Sequence, residues 1–145
     1  MKHFGSILDF TKERNNDLLH VYRTRLKEAG FIIMPDIFQL VANSPARRFY
    51  VSEERASIVI SAMLSGNKLT KMRSNKREMF NEIFRRFIIL RKQKPNSSVY
   101  HLVSEIVQQP APKFYLTART VGEFIYRIKN GWYEKRNRRN RENIG

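Results

Sequence analysis

The 145-residue chain contains no cysteine. That excludes disulfides, thiolate metal sites and a cysteine nucleophile, and leaves nothing to mark an oxidising compartment, so a cytoplasmic location fits. Histidine is scarce as well: His3, His20 and His101 show no metal-ligand spacing, and His20 and Arg23 are simply neighbours on one helical face. No apolar stretch approaches the roughly 18 residues of a membrane span. The longest run, Phe87-Ile88-Ile89-Leu90, has Arg85 and Arg86 before it and Arg91 and Lys92 after it. Met1 to Phe10 holds no apolar segment of signal-peptide length. No Gly/Ser-rich or Pro-rich stretch divides the chain, which argues for one compact body. Acidic residues are the scarce charge. Thirteen Asp and Glu stand against 28 Lys and Arg, a formal net charge of +15. Such an excess points to an anionic partner, of which nucleic acid is the commonest.

What is present is a packable chain, 41% hydrophobic and 12% aromatic, with an internal repeat. Shifted by 65 residues, Pro45-Ala46-Arg47-Arg48-Phe49-Tyr50-Val51-Ser52 falls on Pro110-Ala111-Pro112-Lys113-Phe114-Tyr115-Leu116-Thr117, with four of the eight positions identical. In the same register Ile60 meets Ile125 and Gly66 meets Gly131, and the apolar positions Leu18, Tyr22, Ile37 and Val41 meet Ile83, Phe87, Leu102 and Ile106. Helical periodicity alone does not account for a shared Pro-Ala-x-x-Phe-Tyr block or a shared terminal glycine.

Pattern and capping signals predict an all-α fold: two tandem copies of a three-helix, helix-turn-helix-like unit packed together. Residues 1–66 form the first unit, a scaffold or interaction module. Residues 67–132 form a basic second unit, and 133–145 a basic tail. In the first unit Leu18, Leu19, Tyr22 and Leu26 predict a helix over about 9–29, Pro35 opens a short second helix to about Asn43, and Ser52 caps a third that ends at Gly66. The second unit repeats the order, with a helix over about 75–93 capped by Ser74, a short helix opened by Ser97 or Ser98, and a last helix capped by Thr117. The Phe84–Leu90 segment is apolar nearly all round and predicts the most buried helix. One feature departs from an ordinary helix-turn-helix: the connection before the third helix is longer than the usual turn of about three or four residues.

The charge is unevenly distributed. Residues 1–65 carry 9 Lys and Arg against 7 acids, whereas residues 66–145 carry 19 against 6. The second unit is therefore the expected double-stranded DNA-binding part, with its last helix in the major groove. The candidate contacts are Lys71, Arg73, Lys76, Arg77, Lys113, Thr117, Arg119, Thr120, Tyr126, Arg127, Lys135, Arg136, Arg138, Arg139 and Arg141, with Arg47 and Arg48 as outlying possibilities. The start of the last helix presents backbone N–H groups, two hydroxyls and a guanidinium, whereas Glu53 and Glu54 in the first unit would repel phosphate. Phe49, Tyr50, Phe114 and Tyr115 are candidates for stacking on bases, with a core role for at least one of each pair the stronger expectation.

The repeated block and the Ser52–Leu64 stretch resemble a group of uncharacterised small basic bacterial proteins associated with mobile elements. That resemblance implies a genome-associated role, as regulator or mobile-element accessory factor, and supplies no catalytic residues. Neither an enzymatic activity nor a cofactor or metal is expected, nor a membrane partner. RNA binding and an adaptor for an acidic protein partner are the alternatives.

Overall fold

The computed structural model describes the backbone of residues 3–133 and 135, with side chains from Phe10 onward. Among the described residues there are six helices: α1 (His3–Glu28), α2 (Met34–Ala42), α3 (Glu53–Leu64), α4 (Ser74–Gln93), α5 (Val99–Val107) and α6 (Ala118–Lys129). None of them is long and apolar enough to cross a membrane. Local chemistry explains most of their limits. Ser52, Ser98 and Thr117 each accept a hydrogen bond at 3.1 Å from the backbone N–H three residues on, satisfying a donor that the first helical turn leaves unpaired. Beyond α3 and α6 the chain turns at Gly66 and Gly131, whose positive φ angles of 99° and 65° suit a residue without a Cβ. The α4 start differs from the sequence expectation: Arg73 holds the cap position without a side-chain bond, and Ser74 is already helical.

The helices recur in the chain at a constant spacing. α2 and α5, and likewise α3 and α6, begin and end 65 residues apart, and α1 and α4 end 65 residues apart. Within each trio the first two helices pack together, but the third does not pack on them. α3 leaves α1 and α2 and packs on α5 and α4, while α6 crosses back onto α2 and α1. Exchanging α1–α3 for α4–α6 leaves this packing scheme unchanged.

The crossover segments meet at its centre. Ala46 and Ala111 exchange both backbone hydrogen bonds at 3.0 Å as an isolated antiparallel bridge, pairing one position with its own equivalent as a two-fold axis requires. On either side, Phe49 N–H donates to the Val107 carbonyl and Phe114 N–H to the Ala42 carbonyl, both at 3.1 Å. The same pairing governs the rings. Phe49 stacks on Tyr115 and Tyr50 on Phe114, each with centroids 6.1 Å apart. These four aromatics form the central seam of the core, so the base-stacking role considered for them is withdrawn. The unusual length of the connection has a physical reason: it carries α3 away from α1 and α2 and onto α5 and α4.

Around the seam, Leu18, Ile37, Val41, Ile60, Ile83, Phe87, Leu102 and Ile106 are fully buried. α4 shows one buried face, Met79, Phe80, Ile83 and Phe87, and leaves Ile89 exposed, so it is amphipathic rather than buried all round. Gly122 lets α6 approach α2 closely: a Cβ there would lie 2.8 Å from the Phe38 ring. The equivalent pair is Ser57 and Val103, a larger residue on one helix matched by a smaller one on the other.

Candidate nucleic-acid interface

Two of the predicted contacts form ion pairs. Lys113 pairs with Glu78 and lies 5.6 Å over the Tyr115 ring. Burial, with Glu82 and Glu78 nearby, pushes the Tyr115 hydroxyl up to about 12. Arg119 is paired with Glu123 at 3.3 Å, but its side chain is 90% exposed, so that pair is weak and water or phosphate can replace it. Arg48 is corrected outright. It is buried between Glu13 at 3.6 Å and Glu53 at 3.7 Å, joining α1 to α3, and has no surface to offer. Arg47 is exposed, and its backbone N–H donates to the buried Asp17 carboxylate, which also accepts from the Tyr50 hydroxyl at 2.6 Å.

The start of α6 is less available than expected. The Thr117 hydroxyl oxygen caps the Thr120 N–H, and the two hydroxyls hydrogen-bond each other at 2.9 Å, so both are satisfied within the turn. Further along, Tyr126 is 70% exposed. Half-buried Arg127 places its guanidinium 5.1 Å over the Trp132 ring. Lys135 is exposed. Arg136, Arg138, Arg139 and Arg141 lie outside the described residues.

The segment from Lys68 to Arg77 forms the most available basic surface. Asn67 Oδ1 accepts the Leu69 N–H at 2.8 Å, and the buried Leu69 side chain pins the turn to the core with φ 57°. Lys68, Lys71, Arg73 and Lys76 are exposed and Arg77 is half-buried, and none forms an ion pair with a described residue. The first turn of α4 contains no acid. Cations at a helix N-terminus oppose the helix dipole, so this arrangement costs folding energy instead of supplying it. α3, with Glu53 and Glu54 in its first turn, shows the arrangement that stability favours.

The structure does not bring all of the sequence-predicted residues together. α4 belongs with α3 and α5, and α6 with α1 and α2, so Lys71–Arg77 and Thr117–Arg127 sit on different packed groups. Sequence reasoning missed a further cation, Arg14. It lies 4.1 Å over Phe124 and donates to the Tyr133 hydroxyl at 3.4 Å, and burial holds its guanidinium below its usual basicity. Its only sequence signal was a basic residue within the apolar stripe of α1. No protein-family model, curated protein or solved structure matches the chain.

Proposed function

We propose that the protein is a non-enzymatic double-stranded DNA-binding protein. In this reading a duplicated three-helix unit has exchanged its third helices to form a single-chain pseudo-dimer, and the basic segment after α3 meets the phosphate backbone. One observation carries the reading: Lys68, Lys71, Arg73 and Lys76 are exposed, pair with no acid among the described residues and lead into a helix N-terminus, where cations oppose stability. The repeat register supports it. Lys71, Arg73, Asn75 and Lys76 fall, 65 residues on, upon Arg136, Arg138, Asn140 and Arg141, so the same pattern of charges occurs twice in the chain. Exposed Arg119, Tyr126 and Lys135 supply additional contacts.

Fluorescence anisotropy of a labelled duplex at several salt concentrations tests the proposal. The expected affinity falls steeply with salt, with a log–log slope of about −0.9 for each phosphate neutralised. No measurable binding to duplex DNA at low salt would refute it.

A further inference from the structure

The two halves share a packing scheme, so a residue that only one half possesses is not required by the shared fold. The end of α6 departs from its equivalent in this way. Tyr126, Arg127, Trp132 and Tyr133 stand where the first half has Ser61, Ala62, Asn67 and Lys68. The fold closes with small and polar residues at one site and places a cluster of aromatics and a guanidinium at the other. Trp132 in that cluster is on the surface, 40% exposed.

It is also held in place. Tyr133 meets Trp132 edge-on with centroids 5.0 Å apart, and Arg127 lies over the Trp132 ring at 5.1 Å. Behind them, Arg14 donates to the Tyr133 hydroxyl while resting on Phe124 and hydrogen-bonding Asn15 Oδ1 at 3.0 Å. The buried guanidinium therefore fixes the aromatic pair from below. Aromatic faces beside cations suit one kind of ligand in particular, a nucleobase outside its duplex stack with the adjoining phosphate.

Resting on the DNA-binding reading above, we infer that the Arg127–Trp132 surface is a stacking site for an unpaired base, so that the preferred substrate is duplex DNA with a single-stranded extension or gap. Trp132 would carry the stacked base and Arg127 the neighbouring phosphate.

Trp132 is the only tryptophan in the chain, so its fluorescence reports on this site alone. The full-length protein is titrated with a blunt duplex and with the same duplex carrying a six-nucleotide DNA tail, following both anisotropy and tryptophan emission. The tailed duplex is expected to quench Trp132 strongly and to bind about five- to a hundredfold more tightly, the range for one stacked base. Trp132→Ala should abolish the advantage of the tail and leave blunt-duplex affinity within about twofold of wild type. Arg127→Ala, which removes the cation beside the ring, should reduce the advantage without removing the quenching. Equal affinities for the two DNAs with unchanged emission would overturn this inference while leaving duplex binding intact. Loss of blunt-duplex binding by the wild type, with binding and quenching on the tailed DNA, would overturn the duplex reading and keep the stacking site. An RNA tail that outperforms the DNA tail would overturn the assignment to DNA.

Discussion

Replacing Lys71, Arg73 and Lys76 together with Ala should flatten the salt dependence of duplex binding by about two to three units of log–log slope, because each lost phosphate contact removes roughly one released counterion. Nothing in the fold should resist these substitutions. All three side chains are exposed and none pairs with a described acid. Removing cations from the start of α4 relieves an unfavourable dipole interaction, so the variant should melt at or slightly above the wild-type temperature. The matching control removes the same charge elsewhere: Arg23, Lys27 and Arg55 are exposed residues of the first half. Their triple replacement by Ala should change the slope by less than about one unit. Equal slopes for the two triple variants would mean that net charge, rather than a defined surface, drives binding.

Phe49→Ala should be among the most destabilising single changes in the chain, costing about 3–5 kcal/mol, a large part of the ~5–15 kcal/mol available to a domain of this kind. The ring is 1% exposed, stacks on Tyr115 and lies beneath the Arg86 guanidinium at 4.9 Å. Arg86 is itself anchored, donating to Glu82 at 2.7 Å and to the Gln109 side chain and the Pro110 carbonyl. A cavity at Phe49 would loosen both the aromatic seam and this clasp on the second crossover. Phe114→Ala, the equivalent substitution, removes the partner of Tyr50 and should cost a similar amount, within about 1 kcal/mol. Chemical denaturation monitored by circular dichroism measures both. A cost under about 1 kcal/mol at either position would show that the seam does not hold the two groups of helices together.

The local features of this fold are the legible ones. The caps at Ser52 and Thr117 and the terminators at Gly66 and Gly131 depend on short-range backbone chemistry, and each acts where the sequence places it, while of the two candidates Ser97 and Ser98 it is Ser98 that caps α5. The packing of α3 on α5 and of α6 on α2 could not be read in the same way. α3 and α6 carry similar apolar faces, and so do α2 and α5, so the periodic pattern is satisfied by either pairing. The observed packing goes with the extended stretch around Ala46 and Ala111, a long-range pairing with no periodic signature. Charge was legible in total but not in detail. Arg48 reads as surface until Glu13 and Glu53 converge on it from two different helices, and Lys113 until Glu78 does the same from α4. The apolar stretch Phe31–Met34, leading into α2, lies at the surface. Its four apolar residues are exposed, Phe31 by 84%, whereas the equivalent stretch reads Asn96-Ser97-Ser98-Val99.

Amide chemical shifts recorded during titration with a short duplex test most directly whether the basic segment Lys68–Arg77 meets the DNA. The largest changes are expected from Lys68 through Arg77 and along the exposed side of α6 around Arg119 and Tyr126. α2 and the acidic start of α3 at Glu53 and Glu54 should be nearly unaffected. Shifts centred on α3 or on the Phe31–Met34 stretch, or a spectrum that does not change at low salt, would contradict the account.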